Sequence, residues 1–258
     1  MNLEVLISTM NQEGHGLLEE MKIQSDAIVI NQSNIHKSDK LIFNNHNINF
    51  LSFDERGIGL SRNNALMRAT ADICLLADDD VTYVEGYKDT VLQAFEKNPE
   101  ADMIFFNVPS KNHLRPTYII KKKSRVRWYN CLKYGAVKIA FRSDKLKQAN
   151  IYFSLLFGGG AKYGSGEDSI FIAECIRSGL KVYADPTIIG YVKQEESTWF
   201  KGYNTKFFKD KGVLFHFISK RWAKLLCLQF VIRHRTMFVK EKNMIEAYKL
   251  MLKGIKEI

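Results

Sequence analysis

Three consecutive aspartates, Asp78, Asp79 and Asp80, follow directly on the apolar run Ile73-Cys74-Leu75-Leu76-Ala77. Such a run reads as a buried strand. A strand that ends in carboxylates must release them where water, a cation or arginine can reach, because unpaired buried charge is strongly unfavourable. In sheets built from alternating strands and helices that place is the carboxyl edge, where ligands dock. The triplet therefore points to an α/β sheet with negative charge at one edge, suited to a hard cation bridged to phosphate. An acidic solvated turn capping a helix near Glu85 is the ordinary alternative.

The surrounding pattern agrees. Leu3 to Ser8 reads as a strand, Gly16 to Ile23 as a helix and Ala27 to Ile30 as a second buried strand. Ile48 to Phe53 is the next strand. A helix from Leu60 to Thr70 is entered through Gly57-Ile58-Gly59, and the aspartate-bearing strand follows. Glu85 to Lys97 reads as helix and, after the Asn98-Pro99 break, Met103 to Phe106 as strand. Strand and helix alternate, which predicts a mostly parallel sheet covered on both faces. Later come a strand over Gly135 to Phe141, a helix over Gly166 to Arg177 and short strands over Lys181 to Ala184 and Thr187 to Val192. From Trp199 onward the text is basic and aromatic with helical spacing. Domains are expected at 1–200, with halves 1–110 and 111–200, and at 201–258 (helical extension).

A chain of 258 residues with 46% hydrophobic content can bury a substantial core. Its four cysteines show no CxxC pairing, which argues against a disulfide framework or a zinc site and for a reducing cytosol. No basic leader precedes an apolar segment, and no stretch of about 18 uncharged apolar residues occurs, so a cytoplasmic protein is expected, neither secreted nor membrane-spanning. Net charge is +10. Residues 201–258 hold 14 Lys/Arg against 4 Asp/Glu, the whole excess, and 111–147 hold 12 Lys/Arg against Asp144 alone. Two basic regions flank the acidic site.

Three segments carry candidate chemistry. If strand alternation continues through the triplet, Asp78 and Asp80 face one side and can share a divalent ion, leaving Asp79 pointing elsewhere. Gly164-Ser165-Gly166-Glu167-Asp168 opens a helix. Acids in a first turn are ordinary, yet five glycines between Gly158 and Gly166 allow close backbone approach, and Asp168 shares a face with Ile172 and Cys175. Asp168 at the rim of the core could act as a general base, ionised by the helix dipole and made more basic by partial burial. Gly57 to Asn64 is a glycine turn opening a helix, from which Arg62 could pair with phosphate or with an aspartate. Arg62 occupies the last position of G-x-G-x-x-G, so a dinucleotide fingerprint is discounted.

Ile7-Ser8-Thr9-Met10-Asn11, Arg56 to Asn63, Leu76 to Asp80 and Gly166-Glu167-Asp168 together, in order and spacing, resemble the family 2 glycosyltransferases of GT-A fold. The resemblance spans about residues 3 to 200. It implies a Rossmann-like sheet with a C-terminal basic helical appendage, and an inverting, metal-dependent transfer of a sugar from a nucleotide sugar, UDP-linked, to a hydroxyl of a glycan or lipid-linked glycan in bacterial surface polysaccharide synthesis. It implies Asp78 and Asp80 as the DxD metal ligands for Mn²⁺ or Mg²⁺, Asp168 as catalytic base with Glu167 beside it, and a donor site including Ser8, Thr9, Asn31, Gln32, Arg62, Asp78 and Asp79. The sequence departs from the family at two places. Asn31-Gln32 stand where an acid often reads the base, and near Tyr191-Val192-Lys193 a late metal-binding histidine is absent, with Lys193 or His216 as substitutes.

Other readings remain. A sugar-phosphate nucleotidyltransferase would need a lysine-bearing glycine loop after the first strand, and Met10 to Gly16 has neither lysine nor arginine. A non-catalytic binder of nucleic acid or glycan would use the cations and aromatics of Lys121 to Trp128. Placed between the aspartates and Glu167-Asp168, that stretch instead suits an acceptor side for an acidic glycan or lipid diphosphate. Val213 to Leu226 reads as an interfacial helix on an anionic membrane, a packed helix with snorkelling lysines, or a homodimer contact.

Overall fold

A computed structural model describes residues 1–194 and 202–258. A nine-stranded sheet forms the centre. Its strands are β1 (Leu3–Met10), β2 (Asp26–Gln32), β3 (Lys37–Phe43), β4 (His46–Phe53), β5 (Ile73–Asp78), β7 (Met103–Asn107), β8 (Ser124–Arg125), β9 (Ile139–Arg142) and β10 (Val182–Ile188), in the order β3-β4-β2-β1-β5-β9-β7-β10-β8. Pairs among β4, β2, β1 and β5, and the pair β7–β10, are parallel, while β3, β9 and β8 pair antiparallel. The expected mostly parallel α/β sheet is thus the one found. A separate two-stranded ribbon joins β6 (Val81–Tyr83) to β11 (Gly190–Val192) and ties the segment after the aspartates to the one after β10.

Both faces are covered. On one, α1 (Leu17–Glu20) and α3 (Tyr87–Lys97) bury Leu17, Leu18, Tyr87, Val91 and Phe95 against β1 and β5. On the other, α2 (Ile58–Arg68), α4 (Ser143–Gln148) and α5 (Glu167–Arg177) bury Leu66, Leu146, Phe171, Ile172 and Cys175. The continuous apolar runs of β1, β2 and β5 are what a strand covered on both faces requires.

Several local expectations differ. The first helix is a single turn, Leu17–Glu20, because Lys22 turns to φ 56° and the chain re-enters the sheet. Ile48 to Phe53 has an unanticipated antiparallel partner in β3, joined through Asn44 and Asn45, both at positive φ (48° and 65°), a turn that asparagine tolerates better than most residues. Gly135 to Phe141 begins with a 3₁₀ turn, Ala136–Lys138, before β9.

The C-terminal part is helical, with α6 (Thr205–Ile218), α7 (Ala223–Arg233), α8 (Arg235–Phe238) and α9 (Met244–Lys256). The expected domain boundary at 200/201 and the residues Trp199 to Lys201 lie outside the described residues. These helices share a third core with Phe157, Ile170 and Ala173. Helix α5 is therefore packed on both sides, presenting Phe171 and Ile172 to the sheet and Ile170 and Ala173 to the extension. Helices α6 and α9 touch through Gly212 and Gly254, where any side chain would run into the Met251 and Lys209 carbonyls of the facing helix. No helix among the described residues is long and apolar enough to cross a membrane.

Candidate active site

The carboxyl ends of β1 and β5 stand side by side, with Ser8 level with Asp78. Strand β5 ends at Asp78, so the strand alternation expected to continue through Asp80 stops, and the three aspartates take three different partners. Asp78 accepts from Arg62 Nη2 at 2.9 and 3.2 Å through its two oxygens. Asp79 accepts from the Thr9 hydroxyl at 2.6 Å, and Thr9 in turn accepts from Gln12 Nε2 at 3.1 Å. Asp80 accepts from the Gln194 backbone N–H at 3.2 Å. No lysine, arginine or histidine pairs with Asp79 or Asp80 among the described residues. Burial and the adjacent Asp78 push the Asp80 carboxyl up to about 6, and burial also raises Asp79.

Arg62 joins the two halves of the cleft. Its side chain is only 5% exposed, and its Nη1 donates to Glu167 Oε1 at 2.9 Å while Nη2 holds Asp78. Phe153, stacked on Phe171 with ring centroids 4.0 Å apart, lies 5.3 Å from the guanidinium carbon. Asn63 fixes the Phe153 backbone with two hydrogen bonds, 2.9 and 2.7 Å. Despite burial, the two carboxylates keep Arg62 firmly charged.

The start of α5 depends on close backbone contact. Gly166, at φ 117°, leads into the helix where a Cβ would meet the Leu214 side chain, and Gly158, at φ 104°, lies against the Glu167 carboxylate. The glycines bring loops together: Ile58 N–H donates to Gly159 O at 3.0 Å, and a Cβ on Gly160 would lie 3.1 Å from Gly57 Cα. Asp168 Oδ1 accepts from the Ser169 N–H at 2.7 Å and its hydroxyl at 3.4 Å. Burial, then Glu167, pushes the Asp168 carboxyl up to about 6 against the opposing pull of Arg62. Asp78, Glu167 and Asp168 therefore converge around one guanidinium.

Other candidates sit in the walls. Asn31 is fully buried; its amide donates to Gln12 O and Ser52 Oγ, both at 3.0 Å, and accepts from Gln12 N–H at 3.0 Å. Gln32 accepts from Gly57 N–H at 2.7 Å, and Ser8 Oγ accepts from Ser61 Oγ at 3.0 Å. These three brace the loops and have few polar atoms left for a base. Lys193 sends its ammonium to within 3.7 Å of Glu20 while its backbone N–H donates to Asp80 O at 3.0 Å, and His216 occupies the last turn of α6. Sequence reasoning missed Gln12, Ser169, Gln194 and Lys211. Only Ser169, following Glu167-Asp168 at a helix start, carried a local signal.

A divalent cation fits the acidic edge in its donor chemistry. Among the described residues Asp80 is a partly buried carboxylate without a cationic partner, beside Asp78, and no group of three His, Cys, Asp or Glu side chains forms a closed metal cage. Two carboxylates completed by phosphate oxygens and water are the usual arrangement for Mg²⁺.

A family model covers the segment from β2 to the end of α4. Residues 26–150 match Glycosyl transferase family 2. No curated protein sequence matches the chain. Among solved structures, S. aureus TarS 1-349 superposes with a TM-score of 0.68 at 16% identity, covering 100% of this chain and 82% of that one. TarS 1-349 in complex with UDP-GlcNAc gives 0.68 at 18% identity, covering 100% and 80%. The complex of TarS 1-349 with UDP gives 0.66 at 16%, covering 100% and 82%. At these identities the likeness establishes the fold. The family resemblance and the GT-A architecture with its C-terminal helical part, both expected from the motifs, are borne out.

Proposed function

We propose that the protein is an inverting glycosyltransferase that moves a sugar from a UDP-linked donor to a hydroxyl of a glycan or lipid-linked glycan, extending a bacterial surface polysaccharide. The observation that carries this reading is the double ion pair of Arg62, which holds Asp78 at the end of β5 and Glu167 at the start of α5 on one cleft. The family match supports glycosyl transfer, and the UDP-GlcNAc and UDP complexes of TarS support a uridine donor.

Asp168 accepts the proton of the acceptor hydroxyl as that oxygen bonds to the anomeric carbon. The bond from that carbon to the phosphate oxygen breaks, and the nucleoside diphosphate leaves with the electron pair. One displacement inverts the centre, and no carboxylate nucleophile is needed. Arg62 holds Glu167 and Asp78 in place, and Thr9 with Gln12 orients Asp79. Asp80, with Asp78 beside it, would hold Mn²⁺ or Mg²⁺, which when bound neutralises charge on the diphosphate.

Thermal unfolding with UDP and Mn²⁺ tests the donor site. UDP raises the midpoint only with metal present, and Asp80→Ala abolishes that rise. Asp168→Asn keeps the rise and loses transfer. A protein that UDP fails to stabilise, or an Asp168→Asn variant of normal activity, contradicts the assignment.

A further inference from the structure

Ser169, hydrogen-bonded to the Asp168 carboxylate, also lines a cavity of about 680 Å³ enclosed by the 3₁₀ turn Trp128–Lys133, α6 and α7. Its wall has two chemistries. Leu214, Phe215, Ile218, Trp222, Leu225 and Phe230 make an apolar surface, while Lys211, Arg233 and His234 are basic lining residues and Lys133 lines it with its ammonium turned to the Tyr118 hydroxyl at 3.0 Å; no carboxylate is among the lining residues. Lys211 lies close enough to Asp168 on one side and His234 on the other to bias the charge of both. It hydrogen-bonds Ser165 Oγ at 3.4 Å, with no carboxylate within ion-pair distance among the described residues.

The groove opens onto a second feature. Leu225, Leu228 and Ile232 share one face of α7 and are 56%, 41% and 55% exposed, with Trp222 just before them. Exposed Lys220, Arg221 and Lys224 flank that ridge. An apolar ridge between cations matches an anionic lipid surface in both its hydrophobic and its electrostatic terms. A sugar alone would leave the apolar wall unmatched, and a neutral hydrocarbon would leave the cations so.

We propose that this groove is the acceptor site and that the acceptor is a phosphate-linked lipid carrying a sugar. The phosphate sits at Lys211 and Arg233, the hydrocarbon lies along Trp222, Leu225 and Phe230, and the sugar hydroxyl reaches Asp168. The reaction rests on the glycosyltransferase reading; binding of the lipid phosphate does not.

The test is calorimetric titration of the full chain, with UDP and Mg²⁺ in excess to fill the donor side, using farnesyl phosphate below its micelle concentration, inorganic phosphate and farnesol. Farnesyl phosphate binds at least about 30-fold more tightly than either fragment, and Arg233→Ala and Leu225→Asp each weaken it about tenfold or more. Both substitutions fall on exposed positions and leave the fold intact. Inorganic phosphate binding as tightly as farnesyl phosphate overturns the proposal in favour of a soluble anionic glycan. Affinity unchanged in both variants overturns the placement. Sedimentation showing a dimer that Leu225→Asp dissociates assigns the ridge to a second copy instead. If UDP stabilises the protein and farnesyl phosphate does not bind, the groove assignment alone fails; if farnesyl phosphate binds as described and UDP does not stabilise, the donor reading alone fails.

Discussion

Arg62 places one positive charge between two carboxylates, Asp78 and Glu167, the latter 105 positions away in the chain. Removing it leaves both acids in a poorly hydrated cleft without their partner, so Arg62→Ala lowers stability by about 3 kcal/mol, seen as a shift of the urea midpoint. Arg62→Lys restores little, because a single ammonium does not reproduce the fork that reaches both carboxylates. With Asp168 as the proposed base, that residue carries the pH dependence. A base must be ionised, and burial with Glu167 beside it places that ionisation at about 6. Catalytic efficiency therefore climbs about tenfold per pH unit below 6 and levels off above it, and Asp168→Asn removes the activity that titrates. A profile already flat at pH 5 contradicts the raised carboxyl, and an Asp168→Asn variant with the parent profile rules this base out. The residue types were readable from the motifs, whereas their partners were not. Asn31, expected at the nucleotide base, has its amide committed to Gln12 and Ser52, and nothing near position 31 in the chain announces either contact.

Elements show the same division. Continuous apolar runs identified β1, β2 and β5, and the four motif segments fell at strand ends and helix starts. The β3–β4 hairpin escaped because its outer strand alternates exposed and half-buried residues and its turn is Asn44-Asn45, a weaker signal than Asn-Gly. Asn45→Val, forcing a β-branched side chain to φ 65°, costs about 1–2 kcal/mol in chemical denaturation and leaves UDP-dependent stabilisation unchanged, since the hairpin is the sheet edge remote from β5. The crossing of α6 and α9 is stricter. Gly212→Val has no space against Met251 and lowers stability by about 2–3 kcal/mol or more, measurable as an earlier, broader thermal transition.

At the scale of the molecule, the excess positive charge of the last 58 residues and the acidic cleft are joined through α5, whose two buried faces belong to different cores. A chain ending at Gln194 exposes Ile170, Ala173 and Phe157, and it binds a hydrophobic dye and transfers no sugar; a truncated chain with full activity contradicts this coupling. The basic surplus was visible as composition, but composition cannot tell a solvated face from a groove wall. Lys211 and Arg233 became neighbours of one cavity only when α6 and α7 packed beside the Trp128–Lys133 turn. By itself the sequence determined the class of sheet, the order of its main buried strands, and the acids released at its edge, because hydrophobic period and glycine placement act over a few residues. Tertiary structure alone decided which acid meets Arg62, which amides are spent on loops and where cations meet apolar wall, because those depend on contacts between segments far apart in the chain, which no local pattern specifies.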